Sequence, residues 1–478
     1  MRFSHQQAVA IALYLATNIG VAYTSNIYAF NTKRSLQVGA QDPDTGKIIH
    51  SGCNSIDTPV FPIRSPNVLR TFSTPRNGTA LAAAGWWDGT KVLASIFFQN
   101  IDGDIANCFY VCNMSSGQFV RTGESYPSRL ARVDSVHEKS GLSVQLLGEE
   151  DGYRLFYHNA DMQVMMISLK PDTKIWVDSG TVSPDTSLGL ALQSTYRPDQ
   201  DISVAFPRGS RDVEVARLAK DNLWQLETFP RPLNGSATNE TTPSRIKFNE
   251  TLIPEFVLPY WDPDTPAIGH SVTKHGLREL YYIGTDKTLY QARESDIDGK
   301  WTLGPNGSQS TWPRADERRG GLAIVSAPNA SGEVWIYYWV DGAMMQAHKS
   351  DSDVWDSASA LPVNLTDHEK PDDRGKDVRP SSWSTEAKAG VGVGISVGAL
   401  LAVVSIWFLV HRRAALHSGP GIQAKGVGSG SHSDLPEVCI VQRVEPIAVQ
   451  STESSAEQRP VELEQPAAVH ELVGQPGQ

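Results

Sequence analysis

Four stretches of this chain repeat one pattern: a strand that ends in an aromatic residue, followed at a near-constant distance by a tryptophan. Gly152-Tyr-Arg-Leu-Phe-Tyr157 leads to Trp176, Ile202-Ser-Val-Ala-Phe206 to Trp224, Arg278-Glu-Leu-Tyr-Tyr282 to Trp301, and Val334-Trp-Ile-Tyr-Tyr338 to Trp355. From the last aromatic to the tryptophan the spacings are 19, 18, 19 and 17 residues. Unrelated strands do not keep so tight an interval, so one supersecondary unit is being restated. Each unit adds an upstream small-apolar strand, such as Leu188-Gly-Leu-Ala-Leu192 or Gly321-Leu-Ala-Ile-Val325. A Gly or Asp turn follows the aromatic strand at Asn159-Ala-Asp161, Gly284-Thr-Asp286 and Asp341-Gly342. The unit is therefore a small antiparallel sheet.

Two more divergent copies precede these, around Leu93 to Gln99 and around Leu36 to Gln41. Counted from Val38 through Phe97, Phe156, Ala205, Tyr281 and Tyr337, the intervals are 59, 59, 49, 76 and 56 residues, which makes six units. Such a period, with four short strands per unit, predicts an all-β fold, a six-bladed β-propeller over residues 23–368. The long interval holds the Pro- and sequon-rich stretch 229–259, which reads as a glycosylated insertion loop. Val334-Trp-Ile-Tyr-Tyr-Trp-Val340 is apolar without alternation, as a strand buried on both faces between two blades requires. A helical reading of Val213 to Trp224 fails at Asp221-Asn222, where the other units turn.

Two apolar segments outside the repeats set the compartment. Residues 1–22 carry a basic start at Arg2, an apolar run from Ala8 to Ala16 and small residues Gly20 and Ala22, the layout of a signal peptide. From Ala389 to Val410 there are 22 residues without a charge, enough as a helix to cross the hydrocarbon core. His411, Arg412 and Arg413 follow directly, so the positive-inside rule puts the C-terminus in the cytosol and makes this a single-pass type I protein, expected at the plasma membrane with its ectodomain extracellular or, on an internal membrane, lumenal. Eight sequons, at Asn77, Asn113, Asn234, Asn239, Asn249, Asn306, Asn329 and Asn364, all precede the span, consistent with a glycosylated extracellular side. Residues 369–388 read as a flexible stalk and residues 411–478 as a disordered cytosolic tail. Gly390, Gly394 and Gly398 fall on one face of the span and suit close helix approach in a homodimer.

Of four cysteines, Cys53, Cys108 and Cys112 fall on the oxidising side. If Cys108-Phe-Tyr-Val-Cys112 is a strand, its two thiols sit about 13 Å apart, too far to bridge. Cys53 then pairs with one of them and the other is a buried free thiol. No His lies at ligand spacing, so neither a metal nor any other cofactor is expected. The 53 acidic against 42 basic residues give a net charge of −11, which opposes a phosphate backbone and argues against a nucleic-acid partner.

The repeats resemble the fungal fucose-specific lectins, a family of six-bladed propellers with a sugar pocket between each pair of adjacent blades. The resemblance covers about residues 23–368, and a membrane-anchored form with a Gly-rich span is similar to many filamentous-fungal surface proteins. It implies an Arg on each aromatic strand and a Glu twelve positions later that bind sugar hydroxyls, with aromatic rings against the apolar sugar face. Charge-assisted hydrogen bonds plus stacking are what a neutral polyol requires. Here the pairs are Arg154 and Met166, Ser203 and Val215, Glu279 and Gln291, Trp335 and Ala347. No unit keeps both members, so the pockets read as degenerate. Arg154 with Trp176, and Arg278 beside Gln291 with Trp301 and Trp355, are the carbohydrate-binding candidates. The tryptophans suit two roles, packing between blades or sugar contact.

Enzyme readings rank lower. Ser295-Asp-Ile-Asp-Gly-Lys-Trp301 approaches a sialidase Asp-box with the wrong spacing, and Gly394-Ile-Ser-Val-Gly398 matches a serine-hydrolase elbow but lies inside the apolar span. The expected function is recognition of an extracellular glycan or protein ligand by a non-enzymatic surface propeller. The alternative is a structural surface propeller that has lost sugar binding, and a glycoside-acting enzyme comes third.

Overall fold

A computed structural model describes residues 26–364, apart from 64, 149–150, 171, 197–200, 220, 236, 298 and 327–331. The predicted signal peptide, stalk, span, tail and glycine face, and the sequon at Asn329, lie outside the described residues. Among the described residues no helix is long and apolar enough to cross a membrane.

The repeat units form six antiparallel sheets, each running in simple meander order from its first strand outward. Blade 1 begins with Ile27–Asn31, blade 2 with Leu81–Trp87, blade 3 with Leu142–Leu146, blade 4 with Gln193–Thr195, blade 5 with Gly269–Val272 and blade 6 with Leu322–Ser326. These six first strands contact one another in sequence, and the last contacts the first, so the ring is closed. The axial space is small, about 40 Å³, and is lined by Ile27, Leu81, Leu142, Leu192, Ile268 and Leu322 among others. The fold is an all-β six-bladed propeller.

The blades adhere through six apolar clusters, one at each blade–blade junction. This is why the aromatic strands lack alternation: Arg278–Ile283 and Ile202–Pro207 are buried at every position. Each has a neighbouring blade on both faces, so no position is left for water. Among the described residues, closure between blades 6 and 1 uses no shared strand. It rests on a cluster that includes Ile27, Val38, Phe61, Val325 and Tyr337, and on the Phe61 N–H donating to the Pro362 carbonyl at 2.8 Å.

Local details follow turn chemistry. Asp341 and Gly342 both have positive φ, 51° and 73°, as a two-residue type I′ hairpin demands. Val213–Leu218 is a strand, not a helix. The small-apolar run Leu188-Gly-Leu-Ala-Leu192 is not the first strand of blade 4, which comes just after it at Gln193–Thr195. Gly189 there lies against the Pro263 carbonyl so closely that no Cβ fits, so the run is pressed onto the segment that leads into blade 5. Cys53 is bonded to Cys112, with Cα atoms 5.7 Å apart, and staples blade 1 to blade 2, while Cys108 is the buried free thiol.

Candidate functional site

In each of the four clear repeats, the tryptophan reaches back to an aromatic of the preceding blade. Trp176 meets Phe97 edge-on at 6.1 Å, Trp224 meets Phe156 at 6.2 Å, Trp355 meets Tyr281 at 5.9 Å, and Trp301 stacks on Phe229 at 3.9 Å. Three of these partners lie on the second, aromatic strand of their blade. In blade 4 that position is Ala205, and Phe229 on the fourth strand, Trp224–Phe229, supplies the ring instead. Trp176 and Trp301 are thereby buried, at 4% and 7% exposure. Both are junction residues packed between blades.

The junction between blades 5 and 6 is filled by the protein itself. Glu279, in the position where the resemblance implies an Arg, accepts from Lys349 Nζ at 2.6 Å to each oxygen. It also accepts from Ser271 at 3.0 Å, the Tyr281 hydroxyl at 2.8 Å and Gln291 Nε2 at 3.0 Å. Glu279 and Lys349 are each 1% exposed. With lysine, tyrosine, serine and amide all directed at one carboxylate, the accepting capacity of Glu279 is consumed internally, although Gln291 Oε1 is left buried without a hydrogen-bond partner among the described residues.

Arg278 and Gln291, neighbours in the sequence reading, are not brought together. Side chains along a strand alternate between faces. Gln291 faces blade 6 with Glu279, whereas Arg278 faces blade 4 and pairs with Asp201, with Glu294 3.4 Å from its Nη1. Arg217 holds the same Asp201 at 2.9 Å. Glu227, beside the Trp301 indole N–H, is pushed up to about 7, first by burial and then by the charge of Glu294, with Arg278 and Arg217 opposing. This is a buried charge network across blades 4 and 5 with Trp301 over it, and it leaves Arg278 3% exposed.

In blade 6 the twelve-residue interval itself fails. Its hairpin turn is shorter, so Gln346 and not Ala347 lies opposite Tyr337, and the Tyr337 hydroxyl donates to Gln346 at 3.0 Å. In blade 3, by comparison, Met166 lies opposite Phe156.

The junction between blades 3 and 4 is open. A cavity of about 730 Å³ lies there, lined by Arg154, Met166, Ser168, Leu218, Trp224 and Leu226 among others. Arg154 projects from the second strand of blade 3, Tyr153–His158, and Met166 from the third, Gln163–Lys170. Trp224 opens the fourth strand of blade 4. Arg154 Nη1 donates to the carbonyls of Asp151 at 2.6 Å and Tyr153 at 3.1 Å, which anchors one edge of the guanidinium, and it makes no carboxylate ion pair among the described residues. Burial lowers its pKa from the ordinary value and Asp151 opposes that. The result is a half-buried cationic donor group, the Trp224 indole and an apolar wall of Met166 and Leu218 around one space. Its volume falls in the range of small-ligand pockets.

The solved structures similar in fold include lectins that carry fucosides. The arginine-to-alanine mutant of AofleA from Arthrobotrys oligospora is 13% identical with a TM-score of 0.50, covering 72% of this chain and 88% of that one. SapL1 lectin, solved with alpha methyl fucoside, is 15% identical with a TM-score of 0.46 over 71% of this chain and 97% of that one. Aleuria aurantia lectin, solved with alpha-methyl-L-fucoside, is 14% identical with a TM-score of 0.44 over 71% and 96%. A glycoside-hydrolysing protein, an α-L-arabinofuranosidase from Clostridium thermocellum, matches more distantly, at 12% identity and a TM-score of 0.37 over 60% and 95%. No protein-family model and no curated protein matches the chain.

Of the residues singled out from sequence, Arg154 lines the open cavity. Arg278, Gln291, Trp176, Trp301 and Trp355 are engaged within the protein at other junctions. The cavity also takes in Asn239, Glu240 and Thr241 from the insertion, which no strand pattern could have assigned to it. Among the described sequons, Asn77, Asn113, Asn234, Asn239, Asn306 and Asn364 are exposed and Asn249 is half-buried.

Proposed function

We propose that this chain is a glycan-recognition propeller of the fungal fucose-lectin type that works through the cleft between blades 3 and 4. The observation that carries the reading is the cavity that holds Arg154 and Trp224 between blades 3 and 4, where Arg154 has no carboxylate partner among the described residues even though Arg208 of blade 4 pairs with Asp185 of blade 3 at the same junction. A sugar presents hydroxyls to a fixed cationic donor and a C–H face to an indole and to Met166, which matches this lining. The solved propellers of the same fold that carry fucosides make an α-fucoside the first ligand to test. The proposal includes display of the propeller outside the cell on a type I anchor, supported by the apolar span, the basic flank and the one-sided sequons. It assigns no catalysis.

Calorimetric titration of the detergent-solubilised full-length protein with methyl-α-L-fucoside and fucosylated oligosaccharides should give one site per chain. Arg154→Ala and Trp224→Ala should each weaken it by tenfold or more. Heat signals unaffected by both substitutions, or no binding of any arrayed glycan, would sink the reading. A structural propeller without sugar binding is the second reading, favoured by the self-filled junctions around Glu279 and Arg278.

A further inference from the structure

The cavity between blades 3 and 4 has a complete glycosylation sequon in its wall. Asn239, Glu240 and Thr241 all line it, and they form the acceptor triplet Asn-Glu-Thr with no proline between. They are brought there by a fifth strand, Ala237–Thr238, found in blade 4 alone among the described sheets. It pairs with the fourth strand, Thr238 opposite Leu226, so the chain leaves it directly at the cavity mouth. The segment is tied down: the Glu240 N–H donates to Thr238 Oγ1 at 3.1 Å and the Thr242 N–H to Glu240 Oε1 at 2.9 Å. Asn239 and Thr241 nevertheless stay exposed. An acceptor that is both solvent-exposed and a lining residue sets its glycan at the entrance. None of the other described sequons lines this cavity.

We propose that an oligosaccharide N-linked to Asn239 occupies this cavity in cis and controls its access to external sugars, an inference that rests on the reading of the propeller as a glycan binder on the secretory side. In the modification, Asn239 Nδ2 bonds to the anomeric carbon of a polyisoprenoid-diphosphate-linked oligosaccharide. The anomeric C–O bond breaks, the diphosphate leaves with the electron pair, and the amide gives up one proton to a base. A sugar tethered at the mouth competes at the millimolar effective concentration typical of short tethers. A cleft with a single cationic donor and Met166 in place of a carboxylate holds a free monosaccharide too weakly to displace it.

The test uses full-length protein from a secretory host, as wild type, Asn239→Gln, Thr241→Ala and Asn234→Gln, and wild type treated with an amidase that removes N-linked chains. Peptide mass spectrometry reads occupancy of Asn239, hydroxyl-radical footprinting reads Met166 and Leu223 in the cavity, and calorimetry reads methyl-α-L-fucoside. Asn239 should be occupied. Its glycan's removal, by either substitution or by amidase, should raise labelling of Met166 and Leu223 severalfold and tighten fucoside binding tenfold or more. Asn234→Gln, which strips another glycan of the same insertion, should change neither. An unoccupied Asn239, or labelling that is unchanged after amidase treatment of the folded wild type, overturns the gating. If labelling rises but no fucoside binds any form, gating stands and the fucose reading falls. Equal fucoside binding with and without the glycan has the opposite meaning.

Discussion

The indole of Trp301 lies flat on the ring of Phe229, 3.9 Å between centroids and 11° between planes, whereas Trp176, Trp224 and Trp355 meet their partners edge-on. The exception has a sequence cause. Blade 4 carries Ala205 where its neighbours carry Phe156 and Tyr281, and the void is filled from the outer strand.

Removing that filler should expose the void. Phe229→Ala is expected to cost about 3–5 kcal/mol, the range for truncating a buried aromatic. Urea denaturation followed by tryptophan fluorescence measures it, and a loss below about 1 kcal/mol would show that the junction between blades 4 and 5 collapses freely around Ala205.

Lys349 and Glu279 form a fully buried pair, so breaking it from one side leaves an uncompensated charge. Lys349→Met should destabilise by about 3–5 kcal/mol, and adding Glu279→Gln should restore most of that. A double-mutant cycle by thermal denaturation decides; simple additivity of the two losses would contradict the pairing.

Glu227 provides a pH signature. Its pKa in the fold, about 7, is raised by burial and by Glu294. The neutral form is favoured, so its contribution is present below the ordinary carboxylate value and is lost as pH rises through about 7. The buried histidines His158 and His270, lowered to about 3 by burial, act oppositely and destabilise the fold as pH falls below the ordinary histidine value. The difference between Glu227→Gln and wild type removes their share. That difference should move in favour of the variant by on the order of 2–3 kcal/mol between pH 5 and pH 8. A flat difference would mean that Glu227 ionises without penalty.

Met166 stands where the resembled family carries a carboxylate, across the same cavity wall as Arg154. Met166→Glu should raise fucoside affinity by about tenfold, the worth of one added charged hydrogen bond. The gain should vanish when Arg154→Ala is combined with it. Calorimetry on the three proteins measures this, and an affinity gain that survives loss of Arg154 would place the ligand elsewhere.

The number of blades was readable in the chain because each blade is a local object: strand, turn, strand and tryptophan lie within one repeat, and burial between blades imposes the same apolar run each time. Arg154 could be placed on its strand for that reason. What the strands face across a junction was decided only by closure of the ring. Glu279 meets Lys349 from 70 residues away and Arg278 meets Asp201 from 77. The alternation of side chains turned Arg278 and Gln291 to opposite blades. The one-residue contraction of the blade 6 hairpin moved Gln346 into the place that counting gave to Ala347. Sequence left the partner of Cys53 open between Cys108 and Cys112, and the approach of blade 1 to blade 2 selected Cys112. Likewise the sequon at Asn239 was visible as a triplet. Its place in a cavity wall depended on a fifth strand docking beside Leu226, an event with no periodic signal because it happens once.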